Sequence, residues 1–178
     1  MNIKPAGDFF RETKNAFQYL ETDLNYRFIS SDIENREHYP DTFAFVRYLG
    51  KKVGIEVYWY FASAAIDIAL VEIAKEGEFP EKKRFWGESR GEAKAINLHT
   101  LMDMLGKSDL FMLRKLRVTK LSEVKKREKI IRENLSDVIE NLAQILREQA
   151  KDILLGDTSI FSEVQKYESE LLTKEYPY

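Results

Sequence analysis

The stretch TFAFVRYLGKKVGIEVYWYFASAAIDIALVEI, residues 42–73, decides how the rest of the chain must be read. β-branched and aromatic residues dominate it, and it is interrupted at Gly50-Lys-Lys-Val-Gly54 and at Ala62-Ser-Ala-Ala65. The pattern predicts antiparallel strands at residues 42–49, 54–61 and 66–74, because connections this short leave no room for the crossovers that parallel strands require.

Side chains of a strand alternate between faces, so a single register assigns every residue of the meander to one side. Pairing Arg47 opposite Glu56 sets Phe45 beside Tyr58 and Phe43 beside Tyr60, while Val46 meets Val57 and Tyr48 meets Ile55 on the reverse. Continued into the next strand, the same scheme places Tyr60 opposite Asp67 and Trp59 opposite Ile68. One face then gathers Val46, Ile55, Val57, Trp59, Phe61, Ile66, Ile68 and Leu70, and is apolar enough to lie under helices. The other combines Phe43, Phe45, Tyr58, Tyr60, Ala69 and Val71 with Arg47, Glu56 and Asp67. Two outcomes are open for this second face. It is covered by the chain itself, with its ions paired as cross-strand couples worth ~0.2–1 kcal/mol each. Or Arg47, Glu56, Tyr58, Tyr60 and Asp67 form a patch that recognises another protein, since Tyr and Arg carry much of the energy of interfaces.

Working outward, Pro5-Ala-Gly-Asp8 reads as a helix entry, followed by Phe10, Phe17, Leu20 and Leu24 on one helical face over residues 9–24. Residues 26–30, YRFIS, are rich in strand formers and end in the polar, proline-containing ENREHYPD. Residues 75–95 carry glycines, a proline and dense charge, and read as a long exposed loop. Asn97 is placed to cap a short helix bearing Leu98, Leu101, Met102 and Leu105, which Gly106 stops.

Beyond that, Ile131, Leu135, Val138, Leu142, Ile145 and Ile153 recur in steps that fit one continuous helix over residues 122–155. At 1.5 Å per residue it would be ~50 Å long, so it must bend, overhang the domain or serve a second molecule, including a second copy of the chain. In ILLGDTSIF, residues 153–161, Gly156 follows the last stripe residue, and Asp157, Thr158 or Ser159 can cap a further helix. The alternative, a phosphate or metal site, would need more glycines or clustered carboxylates than the segment holds.

The chain has 178 residues, enough for one domain over residues 1–178 with a substantial core. It contains no cysteine, which removes disulfides, thiolate metal sites and cysteine nucleophiles. No secretory leader is recognisable, and the longest uncharged run, residues 57–66, is too short for a membrane helix. A cytoplasmic, membrane-free protein is expected. Net charge is −2, but residues 111–130 hold eight Lys or Arg against two Glu, and residues 131–178 five against ten acids.

Signatures of catalysis are sparse. The only histidines are His38 and His99, and there is no phosphate-binding loop or dinucleotide fingerprint. A metal-dependent nuclease would draw on Asp41, Glu56, Asp67, Glu72 and Lys75, but Glu72 and Lys75 are spaced for opposite faces of a strand. Neither a metal nor a cofactor is expected. Nucleic-acid binding is the stronger alternative, through Arg114, Lys115, Arg117, Lys120, Lys125, Lys126 and Arg127, against which stands the acidic overall balance.

The segments FVRYLGKKVGIEVYWYFASAAIDIAL and AQILREQAKDILLGDTSIFSEV together resemble a loose group of small uncharacterised bacterial proteins. In that group an N-terminal helix and a β-meander precede a long helix and a Gly-Asp corner. The resemblance implies no catalytic residues; some small proteins of this style look like immunity or accessory components of toxin and defence loci. The sequence thus predicts an α+β domain, with an antiparallel meander of about four strands packed against an N-terminal helix and long C-terminal helices. It is expected to act without catalysis by binding another protein.

Overall fold

The computed structural model describes residues 4–35, 42–80, 93–113 and 120–175. Their elements run α1 (Lys4–Ala16), α2 (Gln18–Thr22), β1 (Arg27–Asn35), β2 (Thr42–Leu49), β3 (Val53–Tyr60), β4 (Ala65–Glu72), β5 (Ala95–Asn97), α3 (Leu98–Met104), a 3-10 turn (Ser108–Leu110), α4 (Leu121–Glu133), α5 (Leu135–Gln149), α6 (Lys151–Leu154) and α7 (Phe161–Glu175). The fold is α+β. A five-stranded antiparallel sheet in sequential order β1-β2-β3-β4-β5 carries helices against one face.

The register of β2 and β3 is the predicted one, with Arg47 opposite Glu56, Phe45 opposite Tyr58 and Phe43 opposite Tyr60. Between β3 and β4 it differs by two residues: Tyr58 pairs with Asp67, Trp59 with Ile66 and Tyr60 with Ala65. The cause is the connection. The strands stop at Tyr60 and resume at Ala65, and residues 61–64 form a tight turn in which Ala64 takes a left-handed φ of 49°. A shift of two preserves the side-chain alternation, so every residue keeps its assigned face.

Other boundaries move for equally local reasons. β1 runs on to Asn35 because its polar residues pair along the whole of β2, with a bulge at Ile29. Residues 95–97, at the end of the expected loop and the start of the expected helix, form β5 and add a strand beside β4. The N-terminal helix begins earlier than expected and is interrupted at Phe17.

The largest correction concerns the single ~50 Å helix. It is instead three helices, broken at Asn134 (φ −135°, ψ 37°) and at Ala150 (φ −115°, ψ 26°). Each break lets the apolar stripe follow the sheet rather than leave it: Ile131, Val138, Ile139, Leu142, Ile145, Leu146, Ile153 and Leu154 are all buried in the same core as Val46, Ile55, Val57, Trp59, Ile66, Ile68 and Leu70. The stripe is therefore consumed by the chain's own sheet. Two tyrosines tie the N-terminal region to these helices, the Tyr19 hydroxyl donating to the Ala143 carbonyl at 3.2 Å and Tyr26 to the Leu154 carbonyl at 3.0 Å.

The Gly-Asp segment is a corner. Gly156 has φ 101°, its N–H donates to the Ile153 carbonyl at 2.8 Å, and the Asp157 N–H donates to the Asp152 carbonyl at 2.9 Å. This pair of bonds satisfies the last carbonyls of α6 in left-handed geometry, where an L side chain is strained. Asp157 Oδ1 accepts the Ser159 N–H at 2.9 Å, and the Thr158 hydroxyl donates to Glu72 Oε1 at 3.0 Å, fastening the corner to the end of β4.

One core position is imperfect. Thr13 in α1 is fully buried, and its Oγ1 has no hydrogen-bond partner among the described residues. Burying a lone hydroxyl is unfavourable, whereas a methyl of the same shape is not. Thr13→Val is expected to raise stability by about 1 kcal/mol in urea unfolding.

Candidate functional site

The second sheet face holds the polar residues singled out from sequence, and the structure brings them together along β2, β3 and β4. Arg47 and Glu56 form the predicted cross-strand pair. Nε and Nη2 of Arg47 donate to Glu56 Oε2 at 2.8 and 2.7 Å, with the Glu56 side chain wholly buried and the Arg47 side chain 18% exposed. The guanidinium is also flanked by aromatic rings, with its central carbon 4.3 Å from the Phe45 ring centroid and 5.1 Å from that of Phe79. Those contacts immobilise it.

Phe79 lies outside the meander and covers the face from above. Its place is made by Gly54, where a Cβ would come within 2.5 Å of the Phe79 ring. Phe79 and Tyr58 pack on a small cluster of Ala69, Val71 and Ala93, separate from the main core. The second face is thus partly roofed by the chain, as one of the two outcomes anticipated. Phe43, Phe45, Glu56 and Asp67 are buried, while Arg47, Tyr58 and Tyr60 remain half-buried.

At the β5 end of this face sits a pair that sequence reasoning did not find. His99 is buried, and its Nδ1 lies 2.7 Å from Asp67 Oδ1. Its Nε2 lies 3.1 Å from the Leu113 carbonyl, and its ring stacks on Phe111 with centroids 3.7 Å apart and an interplanar angle of 11°. Burial pulls the imidazole's pKa down, but the Asp67 charge and hydrogen bond and the Leu113 carbonyl outweigh it and leave the net shift upward, against an opposing push from Arg127. Asn97, expected as a helix cap, makes no capping bond; its Oδ1 lies 3.4 Å from the Tyr58 hydroxyl. No local motif announces the Asp67–His99 pair, because its members are 32 residues apart.

Of the residues marked for nucleic acid, Arg114, Lys115 and Arg117 lie outside the described residues. Lys120 is exposed just before α4, and Lys125 and Lys126 are exposed on it, whereas Arg127 is only 9% exposed and its pKa is lowered by burial. Among the described residues no group of three or more His, Asp or Glu could hold a metal ion.

A separate open groove of about 860 Å³ runs between the N-terminal helices and α5–α6. Tyr19, Leu24 and Leu154 contribute its apolar lining, and Arg147, bonded to Asp23 at 3.0 Å, lies along it. No described helix is long and apolar enough to cross a membrane. Comparison with protein-family models, with curated proteins and with solved structures returned no match.

Two measurements probe the roofed face. Arg47→Ala removes the cation paired with the buried Glu56 carboxylate and is expected to cost about 3–5 kcal/mol, while the double change Arg47→Met with Glu56→Leu recovers most of that loss in urea unfolding. Gly54→Val is expected to displace the Phe79 ring and cost about 1–3 kcal/mol, read as a loss of contacts from Phe79 to Val71 in nuclear Overhauser spectra.

Proposed function

We propose that the chain is a non-catalytic module that binds another protein through the Arg47, Tyr58 and Tyr60 edge of the second face. The observation that carries this reading is the fixed guanidinium of Arg47, held by Glu56 and between two aromatic rings while keeping part of its surface in solvent. An arginine already ordered before contact gives up little conformational freedom on binding, and half-buried tyrosines beside it supply rigid apolar area. Glu56 and Asp67 belong to the patch as its buried support rather than as contact surface. The buried placement of the His99–Asp67 pair, with Nε2 turned to a main-chain carbonyl, favours a structural role over general-base catalysis.

In its narrower form the proposal is a cytoplasmic immunity or accessory protein of a bacterial toxin or defence system. That narrower form is supported by the resemblance of the meander and the Gly-Asp corner alone. A second reading, nucleic-acid binding, draws on the exposed Lys120, Lys125 and Lys126, but Arg127 is turned inward and unsuited to contacting phosphate.

The test is co-purification from the native host followed by affinity measurement with the captured protein. Tyr58→Ala with Tyr60→Ala is expected to weaken binding at least tenfold, with the circular dichroism unchanged. Unaltered capture by that folded variant refutes the patch, and salt-dependent retention on DNA lost with Lys125→Ala and Lys126→Ala supports the second reading instead.

A further inference from the structure

His99 offers a ring nitrogen to two elements, and both partners are acceptors: the Asp67 carboxylate on β4 and the Leu113 carbonyl in the segment after the 3-10 turn. A neutral imidazole carries one N–H and one lone pair, so it can satisfy only one of these partners and must point a lone pair at the other. Only the doubly protonated ring donates to both. Phe111, stacked face to face on the ring, also favours the cation.

The surroundings set which proton is the weaker. The bond to Asp67 is short, at 2.7 Å, and joins a cation to a carboxylate, whereas the contact to Leu113 is 3.1 Å and joins a cation to a neutral carbonyl. Among the described residues, the charged groups facing the imidazole are Asp67 from β4, which stabilises the proton, and Arg127 from α4, which opposes it. Asp67 is wholly buried, and Oδ2 has no hydrogen-bond partner among the described residues, so the imidazole is the main group answering this carboxylate.

We infer that His99 is a proton-operated latch: as an imidazolium it clamps the 111–113 segment to β4, and loss of its Nε2 proton releases Leu113 while the bond to Asp67 is kept. The proton leaves to solvent, and the ring remains as the Nδ1–H tautomer. The latch shares Asp67 with the buried support of the binding patch but involves neither Arg47, Tyr58 nor Tyr60, and its test is read without a binding partner.

The raised folded-state pKa sets the energetic sign. The stability that the latch adds is fully present below the ordinary histidine value of about 6.5 and is lost as pH rises through the folded value.

The experiment is a nuclear magnetic resonance titration of the full chain carrying His38→Asn, in which His99 is the sole histidine, between about pH 6 and 9. The His99 ring is expected to titrate above the ordinary value and to end as the Nδ1–H tautomer by its nitrogen shifts. Over the same range the Met112 amide, which donates to Asn141 Oδ1 at 2.8 Å, is expected to lose protection about tenfold after correction for intrinsic exchange, while Ile68 at the sheet centre does not change. Titration at or below the ordinary value, an Nε2–H tautomer at high pH, or constant Met112 protection through the midpoint each overturns the latch. Asp67→Asn should lower the midpoint; if that variant does not fold, the titration with Asp67 in place still decides.

Discussion

The β2–β3 register, pinned by Arg47 against Glu56, is the constraint on which the remaining structure rests. A slip of one residue would turn Glu56 into a core of Val46, Ile68 and Leu70 and expose Ile55, Val57 and Trp59, so it would strand a charge and lose apolar burial together. With that register set, the centre of one sheet face, across β2, β3 and β4, is apolar. The helices have a single surface against which to bury their stripes.

The C-terminal helices show how far that surface governs them. Their apolar residues have the spacing of one long helix, yet the chain breaks it at Asn134 and again at Ala150. A straight rod can touch a twisted sheet along only part of its length. Changing direction keeps Ile131 at one end and Ile153 and Leu154 at the other inside the same core. The tyrosine hydroxyls of the N-terminal region meet main-chain carbonyls of α5 and α6, Tyr19 at Ala143 and Tyr26 at Leu154.

The second face has a different logic. It buries acids, and each is answered by a basic side chain from elsewhere, Glu56 by Arg47 from the neighbouring strand and Asp67 by His99 from α3. Buried pairs of this kind add little net stability but penalise every arrangement in which a partner is missing. Together with Phe79 seated over Gly54, they hold the face in one conformation and leave Arg47, Tyr58 and Tyr60 at its accessible margin.

Local periodicity and backbone chemistry were enough for one part of this architecture. Alternation assigned Trp59 inward and Tyr58 and Tyr60 to the opposite side, opposed charges set Arg47 against Glu56, and the absence of a Cβ marked Gly106 and Gly156 as helix stops. These features depend on neighbours a few residues away. Only the folded chain shows the breaks in the long helix, the short fifth strand, the two-residue offset of β4, the roof of Phe79 and the joining of Asp67 to His99 and Leu113. Each of those arises when segments distant in the chain compete for the same space or the same hydrogen-bonding group, and no pattern within one segment records who its partner will be.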